Sequence, residues 1–291
     1  MDGKFVKWED AKVHVLTHAL HYGSSVFEGI HSYKAEGGTA IFRLDEHVER
    51  LFHSAGSLSM KIGFTKEELK DAVRGIININ KMEDAYIRPL AYYGYGNVGV
   101  FPKNVPTNVS IITIPWERYY SKDLRIMTSK YLRHPDKSTV FGAKIGGNYA
   151  NSILAMHEAR KNGYDEALML DYEGFVSEGP AENIFLVKGG KLITPKSRSA
   201  LHGITRGSIL EISKAMGIKA YEKDVTLSDA KNANELFFSG TATEIAPIIS
   251  IDGKEIGNGN AGEITLKLRD KFYDIVRGKD KRYDRWISYV R

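Results

Sequence analysis

The sequence predicts an α+β protein of two domains, on the evidence of its length, its periodicities and one irregular run. A chain of 291 residues exceeds what one hydrophobic core usually serves, so two domains are expected. Stretches with the two-residue period of strands alternate with helical stretches in the first half, and the second half is richer in strands. The run PWERYYSKD has neither period and predicts a linker at 115–123, between a small domain at 1–114 and a larger one at 124–291. A ligand is expected at the junction of the two domains.

The first domain is predicted to combine strands with two helices. The run GIHSYKAEGGTAIFRL gives two strands around a glycine turn at 36–38. An apolar stripe of helical spacing predicts a helix over about residues 45–60. A second helix begins at Thr65, which has capping-box spacing to Glu68. Two strands, in AYIRPLAYYG and NVSIITIPW, complete the predicted domain.

The second domain is predicted to begin with a strand in DLRIMTSK. Turns that contain glycine separate its strands at 171–174, 188–191 and 252–253. Helices are predicted in NYANSILAMHEARKNG and TRGSILEISKAMGI, and each ends at a glycine. This half of the chain is therefore expected to be rich in strands.

The net charge of +5 comes mainly from the C-terminus. The last fifteen residues, RGKDKRYDRWISYVR, contain six basic and two acidic side chains. They are predicted to form a solvated tail held by Trp286, Ile287 and Tyr289, since no basic stripe with interleaved aromatic residues occurs elsewhere. A basic nucleic-acid-binding or scaffold protein without a cofactor is the alternative from another functional class, and no nucleic-acid partner is expected.

Several other classes of protein lack support in the sequence. The absence of cysteine excludes disulfides and thiolate metal sites. The first twenty residues are too charged for a secretory signal, and no apolar run approaches the ~20 residues of a membrane helix, so a cytoplasmic protein is expected. His14, His18 and His21 come closest to metal-ligand spacing, but their segment lacks a helical period, and no metal site is predicted.

Lys144 is the first residue whose surroundings indicate chemistry. It lies in FGAKIGGNYANSIL among small and apolar residues, with no acidic residue within six positions on either side. An amine must lose its proton to attack an aldehyde, and apolar surroundings favour the neutral form. Gly146 and Gly147 allow close approach of another backbone beside it. Although most lysines are solvated, this pattern makes Lys144 the candidate nucleophile.

Three other segments offer what a pyridoxal-phosphate cofactor requires. An acid must keep the pyridine nitrogen protonated, and FVSEGPAEN offers Glu178 and Glu182, although either acid is also typical of a surface turn. A phosphate prefers the N–H groups at a helix start, such as the one that follows GIT at 203–205. Thr241 in FFSGTATE offers a second hydroxyl, although isolated threonines are more often helix caps.

Arg50 is a further cation with a candidate role. It lies on the helix predicted for 45–60, on the face opposite the apolar stripe, together with His47 and Ser54. Side chains on such a face are usually solvated. A contact between Arg50 and a phosphate is therefore only a hypothesis.

Together these segments resemble the fold-type IV aminotransferases, and among them the branched-chain amino-acid aminotransferases. The resemblance covers nearly the whole chain and is carried, in this order, by WEDAKVHVLTHALHYGSSVFEGI, AYIRPL, AKIGGNY, SEGPAENIFLV, GITR and SGTATEIAP. It implies a pyridoxal 5'-phosphate enzyme with a small N-terminal α/β domain, a larger strand-rich C-terminal domain and an active site between them.

The resemblance also implies roles for individual residues. Lys144 would be the Schiff-base lysine and the proton carrier, and Glu178 the partner of the pyridine nitrogen. Other implied cofactor contacts are Tyr149 at the phenolic oxygen, Leu201 on the ring face, and Arg50, Ile204, Thr205 and Thr241 at the phosphate. Implied substrate contacts are Tyr86 and the amides of Thr241 and Ala242 for the carboxylate, Phe27, Trp116 and Tyr119 for the apolar pocket, and Tyr22 and Val100 from a neighbouring subunit.

The implied reaction exchanges the amino group between branched-chain L-amino acids (leucine, isoleucine, valine) and 2-oxoglutarate, and yields 2-oxo acids and glutamate. In it Lys144 acts as base and then as acid. A homodimer is implied, or an assembly as large as a hexamer. D-amino-acid aminotransferases and aminodeoxychorismate lyases are alternatives within the same family, and AYIRPL followed by YGNVGV disfavours both.

Two positions depart from the family pattern. His31 stands where the bacterial enzymes tend to have Arg, and Thr243 stands where the pattern GTAAE has Ala. The first departure concerns the acidic co-substrate, because a buried carboxylate needs a donor or a counter-charge. Tyr86 and Arg88 are two residues apart on one strand and so share a face. Arg88 is therefore hypothesised to bind the γ-carboxylate, with His31 assisting only when protonated.

Overall fold

The computed structural model describes residues 1–116, 123–140, 142–196 and 199–290. The chain forms two compact units. The first unit comprises Met1–Glu117, Ala143–Asn148 and Ile275–Arg291, and the second comprises Arg118–Gly142 and Tyr149–Asp274. Helices and strands occur in both, and the second unit is the richer in strands.

The units differ from the predicted domains in two segments. Ala143–Asn148, which contains Lys144, groups with the first unit because Ile145 forms a β-bridge to Val26. Ile275–Arg291 also groups with the first unit, because its strand pairs there. The predicted linker lies mostly outside the described residues, which stop at 116 and resume at 123.

The first unit is a sheet with helices packed on it. Its elements are α1 (His18–Tyr22), β1 (Ser25–Phe27), β2 (Ile30–Ala35), β3 (Gly38–Phe42), α2 (Leu44–Ser57), α3 (Lys66–Asn80), β4 (Ala85–Tyr93), β5 (Thr107–Pro115) and a C-terminal strand, Ile287–Tyr289. Strands β1 and β2 follow one another along β4, and β5 pairs with β4 over its whole length. Strand β3 extends the sheet beyond β2. The short break between β1 and β2, at Glu28 and Gly29, therefore lies at the middle of β4.

Both predicted helices of this unit form where the sequence places them. Helix α2 covers most of the predicted span, and its apolar face, with Val48 and Leu51 each 1% exposed, packs into the core. Helix α3 begins at the predicted capping box, in which Thr65 and Glu68 each bond the other's backbone N–H.

The C-terminal segment is anchored where the sequence predicts, with Trp286 buried and the basic side chains before it exposed, but it ends in a strand rather than a tail. Residues Ile287–Tyr289 form an antiparallel strand on β3, and the Arg43 N–H donates to the Trp286 carbonyl at 2.7 Å. The Trp286 side chain is 3% exposed and receives the Arg43 guanidinium at 4.5 Å from its ring centroid. The sequence does not predict this edge strand for two reasons. The basic residues before it dominate the composition of the segment, and three residues are too few to show the period of a strand.

Over its described residues, the second unit is a nine-stranded sheet with helices. Its elements are β6 (Leu124–Thr128), α4 (Tyr149–Lys161), β7 (Glu166–Leu170), β8 (Val176–Glu178), β9 (Asn183–Lys188), β10 (Lys191–Pro195), α5 (Ile204–Ala215), β11 (Ala220–Lys223), α6 (Leu227–Lys231), β12 (Glu235–Gly240), β13 (Glu244–Ile251), β14 (Lys254–Glu255) and α7 (Glu263–Val276), and the C-terminal strand of the first unit is β15. The sheet runs from β11 to β8, and β8 pairs back onto β9 through Glu178 and Asn183. This one pair closes the sheet on itself and fixes the place of Glu178.

In the described part of the chain, no helix has the length and apolar character that crossing a membrane requires.

Candidate active site

Lys144 is held by its own backbone in the first unit. Its N–H donates to the Ser54 hydroxyl at 2.9 Å, and its carbonyl accepts the Phe27 N–H at 3.2 Å. On either side Ala143 and Ile145 are buried in the core of the sheet and of α2. The backbone of the lysine segment is thus fixed between β1 and α2.

The two glycines after Lys144 permit the close approach that their sequence indicates. The Gly147 N–H donates to the Gly23 carbonyl at 3.0 Å, and a Cβ on Gly147 would lie 3.2 Å from that same oxygen. A Cβ on Gly146 would overlap the Ser25 hydroxyl. A side chain at Gly147 would therefore strain the contact with the Gly23 backbone, whereas the Ser25 hydroxyl could rotate away from one at Gly146.

The Lys144 amine lies among the residues predicted to contact substrate. Its Nζ is 4.8 Å from the centroid of the Phe27 ring, and the Arg88 guanidinium carbon lies 4.5 Å from the same ring. Arg88 Nη2 donates to the Tyr86 hydroxyl at 2.8 Å, so these two side chains share a face of β4 as predicted. Tyr86 lies over Gly29, where an added Cβ would overlap its hydroxyl. Lys144, Phe27, Tyr86 and Arg88 therefore form one cluster.

An aromatic stack continues this cluster. Trp116 is stacked on Tyr86, with 5.3 Å between ring centroids, and its ring lies 5.0 Å from that of His31. His31, the position that departs from the family pattern, is 2% exposed and stacked on Tyr33 at 3.9 Å. His31 therefore belongs to a buried aromatic stack. Tyr119, the other predicted pocket residue, lies outside the described residues.

Arg50 is not solvated, contrary to the usual expectation for its helix face. Its Nε and Nη2 donate to the two oxygens of Glu28, at 2.7 and 2.8 Å, and His47 Nδ1 lies 2.7 Å from Glu28 Oε2. Glu28 is fully buried, and His47 and Ser54 are at most 1% exposed. The reason is Glu28, which occupies the break between β1 and β2 and supplies a counter-charge that makes a polar helix face compatible with burial.

The charges around Glu28 and His47 shift the pKa values of both residues. Burial alone would raise the pKa of Glu28, but the charge and N–H groups of Arg50, with the His47 bond, outweigh it and lower the pKa from 4.5 to about 2. Burial lowers the pKa of His47, and the charges of Arg50 and Lys144 act in the same direction against the opposing effect of Glu28. Glu28 is thus an anion, and a neutral His47 donates to it from Nδ1.

The second unit holds Glu178, which is 4% exposed rather than part of a surface turn. Its Oε1 lies 2.6 Å from Arg133 Nη2, and its Oε2 accepts from Asn183 Nδ2 at 3.2 Å and from the Leu201 N–H at 3.1 Å. Glu178 and Leu201, two predicted cofactor contacts, are therefore directly linked. A buried carboxylate with charged and neutral donors around it fits the acid that a pyridine nitrogen requires.

Glu182 is also buried, at 4%, but its oxygens serve the bend itself. Oε2 accepts the Ala181 N–H at 3.0 Å, and Oε1 accepts the Thr243 hydroxyl at 3.2 Å. Thr243, the second departure from the family pattern, thus supplies a bond that an alanine could not. These contacts favour Glu178 over Glu182 as the acid for a cofactor.

The start of α5 fits a phosphate. The helix begins at Ile204, and its N-cap, Gly203, has no side chain to bond the first N–H groups. Thr205 in the first turn is 3% exposed. A Cβ on Gly203 would overlap the Asn183 amide oxygen, so glycine is required where Asn183 also reaches Glu178. The second unit thus offers a buried carboxylate for the ring nitrogen of pyridoxal phosphate. It also offers the free N–H groups of a helix start and a buried hydroxyl for the phosphate.

The remaining predicted residues lie on turns, at helix ends and on exposed surface. Tyr149 begins α4, and Thr241 and Ala242 form the turn between β12 and β13. Tyr22 and Val100 are 41% and 81% exposed. Their role in a neighbouring subunit's site stays a prediction, because a single chain contains no such subunit.

Sequence reasoning missed three residues of this arrangement. Glu28, Arg133 and Asn183 are each tied to a predicted residue, through Arg50 in the first case and Glu178 in the other two. Their partners are between 5 and 45 positions distant in sequence. The one available signal was Glu28 itself, an acid inside the apolar run SSVFEGI.

Comparison with known proteins is consistent with this geometry. The profile of the family described as Amino-transferase class IV matches residues 25–251. A branched-chain-amino-acid aminotransferase of Pseudomonas aeruginosa is 42% identical over 295 residues, which cover 100% of this chain and 96% of that protein. A putative branched-chain-amino-acid aminotransferase of Methanocaldococcus jannaschii is 44% identical, with 94% of this chain and 95% of that protein covered.

Solved structures give the same picture. The T.th. branched-chain amino acid aminotransferase is 43% identical, with a TM-score of 0.97 over 100% of this chain and 97% of that one. It has also been solved in complex with N-(5'-phosphopyridoxyl)-L-glutamate. The branched-chain aminotransferase of Thermoproteus uzoniensis, solved with norvaline, is 40% identical, with a TM-score of 0.96 over 100% of this chain and 98% of that one.

Proposed function

Because the chain belongs to the class IV aminotransferases, we propose that it is a branched-chain amino-acid transaminase that uses pyridoxal phosphate. It exchanges the amino group between leucine, isoleucine or valine and 2-oxoglutarate. The observation that carries the proposal is the cluster in which the Lys144 amine lies against Phe27 and beside the bonded pair Tyr86 and Arg88. A nucleophilic amine, an apolar wall and carboxylate-binding groups are what such an enzyme must bring together.

Each predicted cofactor-binding residue would then have a task. Bound pyridoxal phosphate supplies a conjugated ring that accepts the electron pair released at the substrate α-carbon. Lys144 would hold the cofactor, take the proton from that carbon as a base and then deliver it as an acid to the cofactor carbon that bears the amino group. Glu178 keeps the ring nitrogen protonated, and Leu201 covers the ring face. The other cofactor contacts are Tyr149 at the phenolic oxygen and Arg50, Ile204, Thr205 and Thr241 at the phosphate.

Substrate recognition has an apolar and a polar part. Phe27, Trp116 and Tyr119 bury a branched side chain, at roughly 0.8 kcal/mol for each methylene removed from water. The substrate carboxylate is held by Tyr86 and by the amides of Thr241 and Ala242. Arg88 binds the γ-carboxylate of glutamate, which its bond to Tyr86 and its position against Phe27 support.

We also propose that the active form is at least a homodimer, in which Tyr22 and Val100 complete the partner's pocket. Exposed apolar side chains of the first unit support this. Val15 is 72% exposed, Val100 81% and Phe101 77%, which is much apolar surface to leave in water. The cytoplasmic location expected from the sequence stays a prediction.

A half-reaction spectrum tests the function. The purified protein should be yellow, and mixing it with L-leucine, L-isoleucine or L-valine should convert the bound cofactor to its amine form with loss of the yellow band. The D-isomers should leave the band unchanged, and Lys144→Ala should fold and bind cofactor loosely without reacting. A colourless protein, a response to the D-isomers, or substantial amino transfer by Lys144→Ala would contradict the proposal.

A further inference from the structure

Arg133 is a charged residue beside the proposed cofactor acid, with no part in the proposed reaction so far. Its Nη2 lies 2.6 Å from Glu178 Oε1, and the two side chains are 13% and 5% exposed. A guanidinium keeps its charge at every accessible pH, unlike lysine or histidine. Arg133 therefore places a permanent positive charge beside the buried carboxylate of Glu178.

Arg133 is held in place by hydrogen bonds of both its backbone and its side chain. The Arg133 backbone N–H donates to the Leu170 carbonyl at 2.8 Å, and Nη1 donates to the Ser152 hydroxyl at 3.0 Å. Ser152, on α4 and 5% exposed, donates in turn to the Pro180 carbonyl at 2.6 Å. Pro180 belongs to the bend that follows Glu178, so the arginine is tied to the same bend by two routes.

Two neutral donors also contact Glu178. Asn183 Nδ2 and the Leu201 N–H both donate to Oε2. The nearby acid Glu182 directs its oxygens to Ala181 and Thr243 instead. Arg133 thus supplies charge to Glu178, whereas β9 and the Leu201 segment supply orientation.

We propose that Arg133 is a positioning residue that keeps Glu178 ionised and in one orientation, so that this carboxylate can hold a proton on the ring nitrogen of the cofactor. The inference rests on the proposed function. Burial by itself favours the protonated acid. Without Arg133, Glu178 takes up a proton as the pH falls, and the neutral acid no longer balances a protonated ring.

The predicted signature is a new dependence of cofactor affinity on pH. The experiment measures the dissociation constant of pyridoxal phosphate from the apoenzyme, by quenching of protein fluorescence, at intervals from about pH 8.5 down to about pH 5.5. The proteins are wild type, Arg133→Met, Arg133→Lys and the double variant Arg133→Met with Glu178→Gln. Arg133→Gln replaces the Met variant if the latter does not fold.

The ratio of the Arg133→Met constant to the wild-type constant should rise as the pH falls, by up to tenfold for each pH unit, because one proton is taken up. In Arg133→Lys, which keeps the charge, and in the double variant, which cannot titrate at residue 178, the ratio to wild type should not vary with pH. A loss in Arg133→Met that is the same at every pH, or a pH-dependent ratio that persists in the double variant, overturns the inference. Failure of the wild type to bind pyridoxal phosphate overturns the proposed function instead.

Discussion

Replacing Glu28 by glutamine should destabilise the first unit, because it removes the counter-charge of a buried group. Arg50 and His47 would then face a neutral amide, while the side chains are 13% and 2% exposed. Removal of one partner from a buried ion pair costs about 3–5 kcal/mol. The pKa of Glu28 gives a second value: a fall from 4.5 to about 2 corresponds to roughly 3 kcal/mol of folding free energy at neutral pH. The two values agree.

The effect should also depend on pH in a definite direction. Since the pKa of Glu28 is lower in the folded protein than in the unfolded chain, its stabilisation is complete above about pH 4.5 and is lost as the pH falls toward about 2. Glu28→Gln has no such contribution to lose. The difference in unfolding free energy between the two proteins should therefore shrink between about pH 5 and about pH 2.5.

Urea denaturation at fixed protein concentration, followed by circular dichroism, measures this difference. The matched control is Glu49→Gln on the same helix, whose exposed pair with Lys66 should contribute at most about 1 kcal/mol. A loss in Glu28→Gln no larger than in the control at neutral pH would refute the reasoning. So would a loss that stays constant between neutral and acidic pH.

Three further predictions address the site. Glu178→Gln should retain cofactor but slow proton abstraction by an order of magnitude or more, as measured by single-turnover absorbance. Glu182→Gln should change that rate much less. If the two variants behave in the reverse order, the acid is Glu182. Arg88→Gln should weaken the binding of 2-oxoglutarate and glutamate by tenfold or more in half-reactions, while L-leucine and L-valine react nearly as before. Equal losses for both classes of substrate would show that Arg88 has a structural role. Gly147→Ala should lower both cofactor affinity and thermal stability, because its Cβ would lie 3.2 Å from the Gly23 carbonyl oxygen, a backbone atom that cannot rotate away. Gly63→Ala, with nothing within 4 Å, should lower neither.

Local patterns in the sequence predict local features of the structure. The capping box at Thr65 and the shared face of Tyr86 and Arg88 each depend on residues two or three positions apart, and each is present. The family, the fold class and the cofactor follow from longer motifs and are confirmed by the comparisons. The roles of individual residues at the cofactor stay predictions.

Features that depend on distant partners could not be predicted. The helix pattern assigns Arg50 to solvent because it reports only the period of its own residues, whereas the partner Glu28 lies 22 positions earlier. The edge strand at Ile287–Tyr289 resembles a tail for the same reason, since its pairing residues are near position 41. Charge that looks exposed in a sequence can be buried wherever the fold supplies the opposite charge.

The pairing of β15 with β3 has a consequence for how the protein is made. The first unit contains the N-terminal residues, yet its sheet includes residues 287–289 and its lysine segment is residues 143–148. These pieces leave the ribosome at widely separated times, in the order of their residue numbers. The sheet edge at β3 and the Lys144 segment therefore cannot both be complete until residues 287–289 have emerged, and such long-range pairing is slow to form. The second unit, whose residues are all made by position 274, can fold earlier, so during synthesis the half with Glu178 should become protease-resistant before the half with Lys144.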